Sequence, residues 1–141
     1  MILLDSDHLS ILKYSNTSTF SRLAGRMADS VDQDFATTAI SVEEQFRGWL
    51  AQINRTNDVS KQVLAYSELV GLIEFFGFWT IADFDEPAAD LFEEFRRLKI
   101  RGGTMDLKIG AIAVTQDSLL LTANTQDFEK IPGLRMENWL R

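Results

Sequence analysis

Cysteine is absent from the 141 residues, and histidine occurs once, as His8. The first absence excludes disulfides, thiolate zinc sites and cysteine nucleophiles. The second removes the His-based triads and multi-histidine metal sites. No apolar run reaches the length of a membrane span, because Asp or Glu interrupts each candidate. Met1 leads directly into an apolar stretch, leaving no room for a signal peptide, so a cytoplasmic protein is expected. Internal repeats, low-complexity tracts and linker-like segments are also missing, which makes 1–141 a single domain. Positive charge is in deficit: 14 Lys and Arg face 21 Asp and Glu, for a net charge of −7. That disfavours a domain that holds nucleic acid by bulk electrostatics. It does not exclude a nuclease, since a metal site needs clustered acids and a bound divalent ion reverses the local charge. The chemistry must come from Asp, Glu, Ser, Thr, Asn, Lys and Arg.

What is present is 45% apolar, enough for one folded domain with its own core. Ile2-Leu3-Leu4 reads as a short buried strand, of the kind found at the centre of a parallel sheet. Further strands are expected at Phe35–Ile40, Phe78–Ala82 and Leu119–Thr122, with Arg135–Trp139 as an edge strand. Helical spacing fills the intervals: Asp7–Tyr14, Thr19–Ala28, a helix opened at Ser41, a long one from Asn57 to Phe76, one from Asp85 to Ile100, and one capped by Thr104. Ser41-Val42-Glu43-Glu44 has the capping-box pattern, with Ser at the cap and Glu three residues on. Gly48 and Ala51 share a face small enough for close approach to neighbouring backbone. Alternation of strands and helices predicts an α/β fold: a mainly parallel central sheet of four to five strands, flanked by helices.

In such sheets ligands sit outside the carboxyl ends of the strands. Four acids fall at strand ends or helix starts. Asp5 follows the first strand, where it also suits a helix N-cap. Glu44 sits in the capping box, with Glu43 as a rival. Asp106 heads Leu107–Val114, a segment apolar nearly all round and therefore buried. Asp127 follows the Leu119–Thr122 strand, beside Thr122 and Asn124. Asp7, Asp117 and Glu129 read as solvated turn or surface acids. Carboxylates without His or Cys suit hard, oxygen-preferring ions, Mg²⁺ or Mn²⁺, which commonly serve phosphoryl chemistry. Arg96, Arg97, Lys99 and Arg101 suit a helix C-terminus, or a phosphate track leading towards Asp106. Arg47 and Lys108, each close to a candidate acid, could also contact phosphate. His8, Trp49, Trp79 and Trp139 read as core or interface residues.

These residues carry a resemblance. Leu3-Leu4-Asp5-Ser6-Asp7 is similar to the first motif of PIN-domain proteins of the VapC-like toxin type, with Ser6 and Asp7 where that family has Thr and Asn. Ile40-Ser41-Val42-Glu43-Glu44 through Gly48 resembles the second motif and selects Glu44 over Glu43. Met105-Asp106-Leu107-Lys108-Ile109 resembles the third. Leu121 to Phe128, continuing through Ile131-Pro132-Gly133-Leu134, resembles the fourth. The resemblance covers nearly the whole chain and implies a PIN-like domain acting as a metal-dependent endoribonuclease, the toxin of a toxin–antitoxin pair. It implies that Asp5, Glu44, Asp106 and Asp127 hold one or two Mg²⁺ or Mn²⁺ ions. Ser6, Thr122 and Asn124 would supply supporting hydrogen bonds. RNA would be the substrate, a cognate antitoxin would cover the site, and the protein would form a homodimer. Two rivals remain: a haloacid-dehalogenase-like phosphatase using Asp5 and Asp7, and a PIN-like binding module without catalysis.

Overall fold

A computed structural model describes all of residues 1–141. In chain order the elements are β1 (Ile2–Leu4), α1 (Ser6–Tyr14), α2 (Ser18–Asp29), β2 (Phe35–Thr38), α3 (Ala39–Arg55) and α4 (Val59–Phe76). They continue with β3 (Thr80–Ala82), α5 (Glu86–Arg97), α6 (Thr104–Thr115), β4 (Leu119–Leu121), α7 (Thr125–Phe128) and β5 (Arg135–Glu137). The five strands form one sheet in the order β3-β2-β1-β4-β5. Every pairing is parallel, with Leu4 opposite Thr37 on one side and Leu121 on the other. The expected α/β class and central first strand are both observed. No helix is long and apolar enough to cross a membrane.

Residue alternation along the strands sorts the apolar side chains into two cores, as a sheet covered on both faces requires. Leu3, Ala36 and Leu120 point into the first, with Phe92 and Phe95 of α5, Ile109 and Ile112 of α6, Phe128 and Ile131. Ile2, Leu4 and Leu121 point into the second, with Leu9, Leu23, Leu72, Phe76 and Trp139. Each fully buried Leu or Ile contributes roughly 1.5–3 kcal/mol by removal of apolar surface from water. As expected, α6 is the most deeply buried helix, with Leu107 and Ile109 to Ala113 all inside. It passes so close to Ile131 that a Cβ on Gly110 would lie 2.5 Å from the Ile131 Cδ1.

Four local expectations are corrected. Helix α3 opens at Ala39 rather than Ser41. Thr38 is its N-cap, accepting a 3.0 Å bond from the Ser41 N–H and donating its hydroxyl to Ser41 Oγ. Thr38 caps well and stands earlier, so Ser41 falls inside the first turn and Glu44 has no capping duty. Gly48 is not a point of close packing: a Cβ there would meet nothing within 4 Å. Gly103, rather than Thr104, occupies the N-cap of α6, and no side chain caps it. Strand β3 is also shorter than expected, because Phe78 and Trp79 sit in the turn after α4.

Candidate active site

Strands β2 and β3 extend the sheet to one side of β1, and β4 and β5 extend it to the other. The β1–β4 boundary is therefore the topological switch point, where open α/β sheets leave a crevice at their carboxyl ends. Asp5 and Thr122 stand on its two sides. The Asp5 N–H donates to Leu121 O at 2.9 Å, carrying the ladder one residue past the strands. The Asp5 side chain both caps α1 and faces the crevice. One oxygen accepts from the Ser6 N–H at 2.8 Å, and the other accepts from the Thr122 hydroxyl at 2.9 Å. Asp5 is only 8% exposed and Thr122 is fully buried. Burial, followed by the nearby charge of Asp7, drives the Asp5 carboxyl up from 3.8 to about 6; Asp106 adds to the effect.

Glu44 lies in the second turn of α3, half-buried, and accepts a 3.4 Å bond from the Ser6 hydroxyl. Burial raises its carboxyl, and the charges of Asp5 and Asp106 raise it further. Asp106, half-buried in the first turn of α6, is raised by burial and by the charge of Asp127. Asp127 itself is exposed in the first turn of α7. Asp5, Glu44 and Asp106 thus lie within mutual electrostatic reach, and Asp127 reaches the group through Asp106. Three or more acidic or imidazole side chains do not close into a sphere that would grip an ion directly. The donor chemistry still fits a hard divalent ion, because Mg²⁺ keeps several waters and takes only one or two carboxylates.

Ser6 and Thr122 both touch candidate acids. Asn124 is exposed at the N-cap of α7 and donates its N–H to the Thr122 hydroxyl at 3.0 Å. The candidate phosphate contacts are more scattered. Arg47 is paired with Glu43, although its charge also bears on Glu44. Lys108 rests over the rings of Phe84 and Phe92, at 5.5 and 5.7 Å from their centroids. Arg101 is exposed in the loop before α6. Arg96 and Arg97 pair with Glu93 and Glu94 of their own helix, in keeping with the helix-terminus reading.

Asp7 corrects the sequence reading most. It is not a solvated surface acid. One oxygen meets His8 Nδ1 at 2.5 Å. The other accepts from the Ala123 N–H at 2.9 Å and lies 3.3 Å from the Thr122 hydroxyl. Fully buried His8 accepts a 3.2 Å bond from the Trp139 N–H on Nε2. That fixes its proton on Nδ1, which donates to Asp7. Burial works to raise the Asp7 carboxyl, but the bonds from His8 and Ala123 outweigh it and hold the group below its ordinary value. A continuous run of hydrogen bonds therefore links Trp139 through His8, Asp7 and Thr122 to Asp5. An Asp-His pair in the first turn of a helix behind a strand-end acid is the only sequence signal for it.

No family model matches the chain, and no curated protein sequence matches it. Solved structures do. A chain of VapBC2 from Rickettsia felis, bound to a DNA fragment from their promoter, superposes with a TM-score of 0.69 at 21% identity, covering 99% of each chain. A chain of VapBC-1 from nontypeable Haemophilus influenzae gives 0.71 at 16% identity, over 100% of both chains. VapBC-5 from Mycobacterium tuberculosis, described as a member of the VapBC family of toxin-antitoxin systems, gives 0.58 at 19% identity over 96% of this chain and 94% of its own. At these identities the likeness is one of fold. The chain has the PIN-like α/β architecture of those proteins from end to end.

Proposed function

We propose that this chain is a metal-dependent endoribonuclease, the toxin component of a toxin–antitoxin pair, acting on RNA in the cytoplasm. The observation that carries the reading is the charge coupling of Asp5, Glu44 and Asp106 beside the switch point, each carboxyl raised by burial and then by neighbouring negative charge. Acids held together at such electrostatic cost favour a cation as their missing partner. The fold likeness to VapBC chains supports the same assignment.

Asp5, Glu44 and Asp106 would hold Mg²⁺ or Mn²⁺, one or two of them directly and the rest through its waters, with Asp127 at the exposed rim. When bound, the ion would polarise a phosphate oxygen and lower the pKa of its water. The chain's own residues prepare the rest. Thr122 fixes one Asp5 oxygen and Ser6 N–H the other, so the carboxylate plane is set before an ion arrives. Ser6 steadies Glu44. Asp106 sits at the positive end of α6, which offsets part of its charge and favours a phosphate nearby. Asp7, held ionised by His8 and Ala123, is unsuited to serve as the protonated acid that a phosphatase of the Asp-x-Asp type would need.

A protein partner is supported by the surface of α4, where Val59, Val63, Tyr66, Val70 and Ile73 are all more than half exposed at alternating spacings of four and three. An apolar stripe of that kind marks a helix-binding face. It would receive a cognate antitoxin or the second subunit of a homodimer. An antitoxin arginine entering the acidic crevice would inhibit by supplying the charge a metal otherwise brings.

Purified protein freed of any partner is incubated with total cellular RNA and Mg²⁺ or Mn²⁺, beside Asp106→Asn and an EDTA control. Discrete fragments that vanish in both controls are the expected result. RNA left intact under every metal, with partner binding preserved, would instead identify a binding module. Phosphate trapped on Asp5 would identify the phosphatase.

A further inference from the structure

The face of α3 beyond Glu44 has no role in the carboxylate cluster, yet it is shaped. An open hollow of about 400 Å³ is lined by Ser6, Glu44, Gln45, Gly48, Trp49 and Gln52. A second, of about 370 Å³, continues from Gln52 to Arg55, Thr56 and Lys61. Both volumes fall in the range of small-ligand sites. Helical spacing places Glu44, Gly48, Gln52 and Arg55 successively along one face. From Glu44 to Arg55 the helix advances about 16 Å.

The chemistry changes in order along this groove. At one end are the acids. In the middle, Gly48 leaves the floor bare, with open space where a side chain would stand. Core packing does not require a glycine there, whereas a ligand lying close to the backbone does. Trp49, half-buried, lines the hollow with an indole. One N–H of the Gln45 amide donates to Ser10 Oγ at 3.3 Å, its carbonyl oxygen remains an acceptor, and Gln52 is exposed with both amide groups free to pair. At the far end stand Arg55 and Lys61. Both are exposed and neither has a carboxylate partner; Lys13, Lys99, Arg101, Lys108 and Lys130 also lack one, but Arg55 and Lys61 stand together on one hollow. In a chain of net charge −7, two unpaired cations at the end of a groove favour an anionic ligand.

We infer that this groove is a nucleotide subsite for single-stranded RNA, in which one base stacks on Trp49 above Gly48, the Gln45 and Gln52 amides read its edge, and Arg55 and Lys61 hold the next phosphate. The inference rests on the ribonuclease reading and deepens it by naming where a flanking nucleotide lies. Aromatic stacking and amide pairing are how proteins bind unpaired bases. The subsite would set which sequence is cut, while the acids would set only that a cut is made.

The test uses the full-length Asp106→Asn chain in EDTA, so that binding is read without cleavage. Single-stranded RNA tetranucleotides of each base are titrated while the Trp49 indole N–H signal is followed by NMR, assigned with Trp49→Phe. A shift of that signal is expected, stronger for some bases than others. Gly48→Leu, which fills the hollow on a helix face with room for it, should weaken binding at least tenfold. Arg55→Gln with Lys61→Gln should weaken it and flatten its salt dependence, by roughly one phosphate contact's worth of slope or more. An indole signal that no tetranucleotide moves, in a protein whose wild type still cleaves RNA, overturns the subsite and leaves the ribonuclease reading standing. A signal moved only by an arginine-containing peptide overturns it in favour of a protein ligand. Absence of any cleavage by the wild type with Mg²⁺ or Mn²⁺ removes the parent reading, and the subsite as defined here with it.

Discussion

The Thr122 hydroxyl donates to Asp5 Oδ2 at 2.9 Å across the boundary between β1 and β4, joining residues 117 positions apart at the centre of the candidate site. That bond lowers the Asp5 carboxyl against the upward pressure of burial. Thr122→Val keeps the shape and removes the donor. Asp5 should then titrate higher by NMR, divalent-ion affinity should fall about 10–100-fold as for other lost supporting bonds, and stability should drop about 1–3 kcal/mol.

Asp5 also fixes the pH behaviour of the metal-free protein. Its folded value, about 6, lies above its ordinary 3.8. The native state therefore binds that proton more tightly than the unfolded chain does. The resulting stability is complete below about pH 4 and is lost as pH rises through 6. Chemical denaturation of the apoprotein should show this decline, while stabilisation by added Mn²⁺ should grow over the same interval, because the ion competes with the proton. Asp5→Asn should remove the largest part of the decline, leaving the smaller share due to Glu44 and Asp106, and raise apo stability at pH 7.5 by about 1–3 kcal/mol. A flat profile in wild type would rule out the raised carboxyl.

The acids should not be equal. Asp106→Asn is expected to lower RNA cleavage at least 100-fold while raising the melting temperature of the metal-free protein, since it relieves repulsion with Asp127, Glu44 and Asp5. Asp127 is exposed and bears on the group through Asp106, so Asp127→Asn should cost less activity and raise apo stability less than Asp106→Asn does. The two effects are separated by measuring cleavage and melting on the same variants.

His8 tests the buried polar run. In His8→Phe the Trp139 N–H loses its acceptor and Asp7 loses a donor. The stranded Trp139 N–H and the lost Asp7 bond should together cost about 2–4 kcal/mol in urea denaturation. Asp7 should titrate higher, because the bond that holds it down is gone.

Gly110 tests the packing of α6. A methyl group there would overlap Ile131, which is itself buried. Gly110→Ala should lower stability by about 1–3 kcal/mol despite its better helix propensity, measured as a lower midpoint in thermal melting.

Legibility in the sequence followed the range of the interactions involved. The apolar run Ile2–Leu4 and the all-round apolar α6 announced a central strand and a buried helix, because both depend on solvent exclusion alone. Asp5 and Asp106 were conspicuous for the same reason: acids abutting buried segments. The start of α3 was misjudged because Thr38 and Ser41 both have capping chemistry, and the strand end at Thr38 decides between them. The role of Asp7 was hidden because its partners, Ala123 and Thr122, arrive from β4. The groove along α3 was hidden because Gly48 looks the same whether a glycine faces packed backbone or open solvent.

The central position of β1 has a consequence for synthesis. Its strand is made well before β4, its partner on one side, and 117 positions separate Asp5 from the Thr122 that bonds it. The Asp5 crevice needs both. A ribosome-bound chain that has not yet released β4 therefore has no Asp5 crevice, and any activity lodged there waits until that strand can fold against β1.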